Sequence, residues 1–271
     1  MNNLFRAFRY IKLHLFNNPR YLFFYGLHFF DPNYTFKANF YSREDFAHLV
    51  EEGKTVIRLG DGEVHLMNRG DLGFQEYNPI LREKMLSMIR AYNDSCQYIL
   101  GFNIIPLESP NSALRKINLL NSWLPSKVYF DLYFNKKAKY VDASVFYYNE
   151  VIPKYLEKFL LSKHLIVVSR SGNISAFKDN SSIPFRDVSF IETLDEHAFR
   201  DYSQIKEKVL QEVEKYGKDN ALVLVSCGPA GKVLAYDLLG QVQVLDIGFG
   251  IEIVYSDKKI DYIANPFLVR K

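Results

Sequence analysis

The sequence contains no long uninterrupted hydrophobic run. No stretch approaches the ~20 apolar residues of a membrane-spanning helix, because Arg and Lys residues interrupt the aromatic-rich first 30 residues. An apolar core followed by a small-residue cleavage site, the mark of a signal peptide, is also missing from this stretch. We therefore expect a cytoplasmic protein, and contact with the inner face of the membrane stays open.

Cysteine and concentrated charge are scarce as well. The two cysteines, Cys96 and Cys227, lie far apart and show no metal-binding spacing. Without a signal peptide, reduced thiols are the expectation. The formal net charge is only +3, and no long Lys/Arg block is present, so a nucleic-acid partner is not indicated.

What the sequence does contain is typical of a soluble globular protein. Its 271 residues are 48% apolar and 24% charged, which fits one large domain or two modest ones. We divide the chain into an aromatic and basic helical segment, residues 1–41, and a main domain, residues 42–271. The first segment has apolar residues at helical spacing, namely Leu4, Phe5, Phe8, Ile11 and Leu15.

That amphipathic spacing has two explanations. The segment could lie in a membrane interface, or it could pack on its own domain or on a partner subunit. Exposed aromatic residues there would also allow a homodimer.

Short apolar strands alternate with amphipathic helices in the main domain. The strand segments are residues 55–59, 98–101, 140–142, 165–169, 188–191, 221–226 and 242–246. This alternation predicts an α/β fold with a mostly parallel sheet and helices on both faces. The turns that follow such strands gather at the carboxyl edge, where ligands bind. The four turns of interest are 60–63, 169–173, 226–231 and 246–250.

The first of these turns carries two carboxylates. Asp61 and Glu63 stand two residues apart in a glycine turn, and oxygen ligands of this kind suit Mg²⁺ or Mn²⁺. Gly60 and Gly62 would let the backbone approach a diphosphate, and Arg58 could contact phosphate or hold a carboxylate. The alternative is a surface turn whose acids cap the next helix.

The turn at 226–231 combines small residues with a helix start. Cys227, Gly228 and Pro229 follow an apolar strand, and Lys232 comes three residues later. Free N–H groups at such a helix start can bind an anion, and Lys232 could reach the same phosphate. The spacing is not that of a Walker A motif, and an ordinary turn with Pro229 starting the helix is the alternative.

The two remaining turns carry polar side chains. Ser169, Arg170 and Gly172 lie in a loop that could contact a base, ribose or phosphate, or be a plain polar surface loop. Asp246 follows the last predicted strand. It could bind ribose hydroxyls or act as a base, and helix capping explains it equally well.

Together these residues resemble a known family. Arg58 to Glu63 after a short strand, with Gln75 beyond the helix, resembles the bacterial glycosyltransferases of GT-D fold, formerly a domain of unknown function. The Cys-Gly-Pro-Ala-Gly-Lys turn and the strand end at Asp246 are similar to the same family, and the likeness covers residues 42 to about 250.

The resemblance implies a Rossmann-like sheet, a UDP-sugar donor and Mn²⁺ or Mg²⁺ held by an Asp-X-Glu motif, here Asp61 and Glu63. Members work on bacterial surface glycans and glycoproteins, so glucose transfer from UDP-glucose to a glycan acceptor is the expectation. Many relatives carry an Arg soon after the strand near Asp142, whereas this chain has Val145, Phe146 and Tyr147.

In the mechanism that we expect, the cation stabilises the departing UDP and Arg58 adds positive charge. A carboxylate takes the acceptor proton, and Glu63, Asp142 and Asp246 all stay candidates. A dinucleotide- or S-adenosylmethionine-dependent enzyme is an alternative, although His65 breaks the glycine spacing of the dinucleotide motif. A non-catalytic partner in a glycosylation complex is another.

Overall fold

The computed structural model describes residues 18–148, 150–180, 185 and 187–251. The helical spacing predicted between Leu4 and Leu15 lies outside these residues. Within them the strands are β1 (Asn39–Phe40), β2 (Thr55–Leu59), β3 (Tyr98–Phe102), β4 (Lys139–Asp142), β5 (His164–Arg170), β6 (Val188–Thr193), β7 (Ala221–Ser226) and β8 (Gln243–Asp246). All seven predicted strands are therefore present, and β1 is an additional one.

The helices of the described residues connect these strands. They are α1 (Pro19–Phe29), α2 (Arg43–Glu51), α3 (Asp61–Met67), α4 (Pro79–Ala91), α5 (Ile104–Glu108), α6 (Asn111–Lys116), α7 (Leu120–Tyr133), α8 (Glu157–Leu161), α9 (Ser171–Asn180), α10 (Tyr202–Tyr216) and α11 (Pro229–Asp237). Short 3₁₀ segments cover Val145–Tyr147, Ala198–Asp201 and Gly248–Gly250, and Val151–Leu156 is a π-helical turn. None of the described helices is long and apolar enough to cross a bilayer.

The strands form one eight-stranded sheet in the order β1-β4-β3-β2-β8-β7-β5-β6. Every ladder in it is parallel. The prediction of an α/β fold with a parallel, Rossmann-like sheet is confirmed. The four turns singled out in the sequence follow β2, β8, β7 and β5, which are neighbours in this order, so all four lie side by side along one stretch of the carboxyl edge.

Side chains alternate along the strands, so the two faces of the sheet pack into two separate cores. In β5, Ile166 and Val168 join one core, while Leu165 and Val167 join the other. Helices α3, α4, α7, α10 and α11 cover the first face, and α2, α8 and α9 cover the second. Central strands such as β5 and β7 are covered on both sides, and they therefore read as continuous apolar runs in the sequence.

Local signals fix several helix ends. The Ser42 hydroxyl accepts a hydrogen bond from the Asp45 amide at 3.0 Å and so caps α2. Gly53 has φ +91° just beyond the end of that helix, a conformation that favours glycine. Asn78 caps α4 by accepting from the amides of Ile80 and Leu81. Each of these three helix ends thus carries a residue type that favours its position.

Residues 18–41 contribute to the same body. Tyr21 of α1 is fully buried in the first core, where α1 packs against α7. Strand β1 extends the sheet by pairing Asn39 with Lys139 and Phe40 with Tyr140. Residues 19–40 therefore pack on the main domain along one face and one edge.

Candidate active site

Helix α3 starts directly at the end of β2. Gly60 is its N-cap, and the Gly60 amide donates to Oε2 of Glu63 at 2.6 Å. This contact is the backward half of a capping box. Asp61 is the first helical residue, and its Oδ1 accepts from the Gly62 amide at 3.0 Å. The capping that the sequence offered as an alternative is thus present, and Glu63 carries it.

Asp61 and Glu63 differ in their exposure. Glu63 is buried, whereas the Asp61 side chain is exposed at the mouth of the turn. Protein atoms around the carboxylate, and then the nearby charge of Glu63, raise the pKa of Asp61 above its ordinary value. Two carboxylates therefore lie at this corner, and Asp61 is the accessible one.

Arg58, in β2, is buried beneath this turn and linked to β8. Its amide donates to Oδ2 of Asp246 at 3.0 Å, and its Nε donates to the Asp246 carbonyl oxygen. The guanidinium also donates to the carbonyl oxygen of Ala143 and lies 4.9 Å from the ring centroid of Tyr147. The aromatic residue that follows β4 here thus stacks on Arg58.

Lys232 enters the same cluster from α11. Its Nζ lies 3.1 Å from Oδ2 of Asp246 and 3.6 Å from Oε1 of Glu63. Burial lowers the pKa of Lys232, but the two carboxylates outweigh burial and raise the pKa above its ordinary value. The lysine is therefore a buried ammonium ion.

Charges inside this cluster balance. Arg58 and Lys232 supply two positive charges, and Glu63 and Asp246 supply two negative ones; all four side chains are buried. The structure thus places Asp246 inside an ion-pair network, with its carboxylate on Arg58 and Lys232. The capping of a following helix, considered for Asp246 in the sequence, is not what this carboxylate does.

The turn after β7 presents a helix start beside this cluster. Gly228 has φ +61° and is exposed, and α11 begins at Pro229. Desolvation raises the pKa of Cys227 to about 12, so its thiol is neutral at physiological pH. Exposed backbone at a helix start is the kind of surface that binds anions.

The loop predicted around Ser169, Arg170 and Gly172 is not present, because β5 continues through Arg170 and α9 begins at Ser171 without a connecting segment. One of these three residues is internal and two face outward. Ser169 is buried; its hydroxyl donates to the Ser226 carbonyl at 3.2 Å and accepts from the Asn173 amide group at 2.9 Å. Arg170 and Gly172 are exposed. α9 covers one face of the sheet and α11 the other, so the chain leaves the neighbouring strands β5 and β7 in opposite directions. The ends of two such strands are the usual ligand position in open α/β sheets.

Gly248 is a site residue that the sequence does not reveal. It has φ +49°, and a Cβ built on it would lie 2.1 Å from Nη2 of Arg58 and 3.1 Å from the Tyr147 hydroxyl. Only glycine leaves room for the guanidinium at this position.

A pair of loops, residues 68–78 and 194–201, borders the site. The His197 amide donates to the Phe74 carbonyl oxygen at 2.8 Å, and Arg200 forms two 2.8 Å bonds to the Glu76 carboxylate. Phe74 is 51% exposed, and its ring lies 3.5 Å from where a Gly228 Cβ would be. The sequence gives no sign of this pairing, because the two loops are far apart in the chain. Glu76 and Arg200, for example, are separated by 124 residues.

Asp142 stands at the carboxyl end of β4. Its Oδ1 accepts from the Ser144 amide at 3.1 Å, and its Oδ2 accepts from the Tyr148 hydroxyl at 2.8 Å. Burial raises the pKa of Asp142 above its ordinary value. Unlike Asp246 it is only half-buried, and no cationic group holds its carboxylate within salt-bridge distance in the described residues.

The carboxylates present are a partial fit for a divalent cation. No group of three or more His, Cys, Asp or Glu side chains in the described part of the chain could hold a metal ion. Mg²⁺ and Mn²⁺, however, are commonly bound through one or two carboxylates, with waters and substrate phosphates completing the shell. Asp61 suits that arrangement, whereas Glu63 already accepts from Gly60 and faces Lys232.

Comparison with known proteins identifies the family. A glycosyltransferase described as probable, from Streptococcus gordonii, is 26% identical over 221 residues; the match covers 74% of this chain but 30% of that protein. A new glycosyltransferase of the DUF1792 family from Streptococcus sanguinis shares the fold, with a TM-score of 0.61, 19% identity and coverage of 84% and 85% of the two chains. A structure described as a DUF1792 domain with a distinct glycosyltransferase fold also has a TM-score of 0.61, at 18% identity and coverage of 84% and 82%. Finally, the family model "Glycosyltransferase GT-D fold" matches residues 56–257, and the chain therefore belongs to this family.

Proposed function

We propose that this protein transfers a sugar, glucose in the first instance, from a UDP-sugar donor to a glycan acceptor on a bacterial surface glycoprotein or polysaccharide. The family match supports glycosyl transfer over a dinucleotide- or S-adenosylmethionine-dependent reaction. One observation carries the proposal beyond the family: an exposed carboxylate, Asp61, stands two residues before Glu63 of the charge-balanced buried cluster. Lys232 of the same cluster lies 3.5 Å from the Gly228 carbonyl oxygen at the start of α11.

Asp61 is the residue that we propose as the main ligand of Mn²⁺ or Mg²⁺, with Glu63 beside it. The buried charges already cancel, so the Asp61 charge is left to attract a cation. When bound, a divalent cation would neutralise the diphosphate as UDP leaves. The pKa of Asp61 is raised, so its ionised form is disfavoured in the protein alone. A bound cation would stabilise the ionised carboxylate and lower the pKa again, which supports a role as a metal ligand.

The buried cluster positions this corner. Lys232 holds Glu63 on the amino end of α3, and Asp246 holds Lys232 and Arg58 in turn. Rigid support of this kind keeps a ligand carboxylate in one geometry. In this proposal Lys232 acts mainly through Glu63, and its positive charge adds to the potential felt by the diphosphate.

The two neighbouring turns are our proposed donor contacts. Exposed backbone at Gly228 would receive the diphosphate at the start of α11. At the end of β5, Arg170 and Gly172 are exposed and would contact the nucleoside. In this proposal the donor would lie along the carboxyl edge from β5 to β2.

Asp142 is the carboxylate that we propose as the general base. Asp246 and Glu63 are buried and already hydrogen-bonded, whereas Asp142 is half-buried and has a raised pKa. A base with a pKa closer to neutral accepts a proton from the acceptor hydroxyl more readily.

The test is a sugar-transfer and donor-hydrolysis assay across UDP-sugars with added Mn²⁺. We expect Asp61→Ala to abolish metal-dependent turnover, Asp142→Asn to lose transfer but keep donor binding, and Glu214→Ala, an exposed acid on α10, to behave like the unchanged protein. A thermal shift with UDP and Mn²⁺ reports binding independently of turnover. Metal-independent turnover that is unchanged in Asp61→Ala and Glu63→Ala would overturn the proposal.

A further inference from the structure

Helix α1 carries an exposed apolar stripe on the side that faces away from the domain. Phe23, Leu27 and Phe30 are 67%, 55% and 81% exposed. Phe30 directly follows α1 and keeps helical backbone angles, with φ −87° and ψ −11°. The i, i+4 and i+7 spacing therefore places all three side chains on one face. The opposite side is occupied, because Tyr21 is buried and Phe24 packs on the first core. The stripe is therefore the solvent-facing side of a helix that is packed on the domain.

Positive charge lies at both ends of this stripe. Arg20, one turn before Phe23, is exposed, and Nη2 of Arg115 donates to the Phe29 carbonyl oxygen at 2.8 Å. Lys116 is exposed beside Arg115. Of the acids near the helix, Asp31 accepts from the Asn33 amide, and Asp131 is paired with Lys136.

The sequence before the helix continues the same charge pattern. Residues 1–30 contain no Asp or Glu, and the first acidic residue of the chain is Asp31. Their Lys and Arg residues are Arg6, Arg9, Lys12 and Arg20. Asp31, directly after Phe30, is exposed, but the residues before it contribute only basic charge. An apolar stripe flanked mainly by basic residues complements a membrane surface, where apolar acyl chains lie beneath anionic headgroups.

We infer that the α1 stripe docks this protein onto an anionic lipid surface. The three side chains enter the boundary between headgroups and acyl chains, and Arg20 and Arg115 contact headgroup phosphates. A second copy of the chain fits the stripe less well. Three side chains offering at most roughly 150–250 Å² each fall short of the ~800 Å² that each partner gives to a standard protein interface.

The experiment is vesicle flotation of the full chain. Vesicles of phosphatidylcholine alone are compared with vesicles of equal parts phosphatidylcholine and phosphatidylglycerol. We expect flotation only with the anionic vesicles and its loss on adding salt, because exposed charges are screened. The triple variant Phe23→Ser, Leu27→Ser, Phe30→Ser should no longer float and should keep its Tm, since the replaced side chains are exposed.

A matched variant separates this stripe from general surface hydrophobicity. Ile80 and Leu161 are also exposed, at 63% and 36%, so Ile80→Ser with Leu161→Ser should float like the unchanged chain. Flotation that persists in the triple variant, or that is absent from the unchanged chain, would overturn the inference. So would a dimer that the triple variant converts to monomer without any vesicle binding. Flotation does not require turnover, so a failed transfer assay leaves this result intact.

Discussion

The ammonium group of Lys232 lies 3.1 Å from Oδ2 of Asp246, and both side chains are buried. Removing Lys232 leaves the buried cluster with two carboxylates, Glu63 and Asp246, and one cation, Arg58. We expect Lys232→Met to lower the free energy of unfolding by about 3–5 kcal/mol, measured by urea denaturation. Lys206→Met is the control. Its side chain is 31% exposed and its Nζ lies 3.8 Å from Asp237, which keeps Lys84 as a second cationic partner. We therefore expect a loss of only about 0–1 kcal/mol. Equal losses in the two variants would contradict the buried pairing.

Asp61 should make stability depend on pH. Its pKa is raised in the folded state, so its stabilising contribution is complete below the ordinary Asp pKa and is lost as pH rises through the folded pKa. At neutral pH the ionised carboxylate therefore opposes folding. Asp61→Asn should raise Tm at neutral pH, and the gain should shrink as the pH falls toward the ordinary value of 3.8. Differential scanning calorimetry without metal would measure it, and a pH-independent gain would argue against this cause.

Gly248 should tolerate no side chain. Alanine there would adopt φ +49° and displace the Arg58 guanidinium, so we expect a loss of about 1–3 kcal/mol in unfolding free energy. Gly172→Ala is the matched control. No atom lies within 4 Å of its built Cβ, and it lies in α9, so alanine should stabilise the fold by about 0.4–1 kcal/mol. Chemical denaturation of both variants tests the contrast, which fails if they shift in the same direction.

Phe74 should affect substrate affinity more than stability. Its ring is 51% exposed and lies on the start of α11, beside the proposed diphosphate contact. We expect Phe74→Ala to raise the donor KM about tenfold, the size of a lost stacking contact, and Phe74→Tyr to restore it. Steady-state kinetics give KM and kcat separately. Ile80→Ala, another exposed apolar residue, should change neither, and an unchanged KM in Phe74→Ala would exclude the contact.

The sequence predicts those features of the fold that depend on neighbouring residues. Apolar runs mark β5 and β7, Ser42 and Asn78 mark helix starts, and glycine turns mark the strand ends. Parallel topology then brings four turns to one edge without further information. This is why Asp61 and Glu63 could be placed at the carboxyl edge, whereas the accessibility of Asp61 alone follows only from the structure.

Features that depend on partners far away in the chain could not be predicted. Lys232 looks like a phosphate ligand in isolation, and only the placement of β8 between β7 and β2 shows that Asp246 and Glu63 hold it. The need for glycine at position 248 likewise follows from Arg58, whose amide contacts a carboxylate 188 residues away. No local pattern encodes which strand lies beside which.

The central position of β8 has a consequence for biosynthesis. Every residue of the sheet except this last strand is made before residue 243, and until then β2 and β7 have no neighbour between them. A nascent chain would hold two separate parallel sheets, each with an unpaired edge open to aggregation. Arg58 and Lys232 would also lack Asp246 at that stage. Once Gln243–Asp246 has left the ribosome, β8 can join the two sheets. The same step brings Asp246 to the buried cations, so the two events occur together.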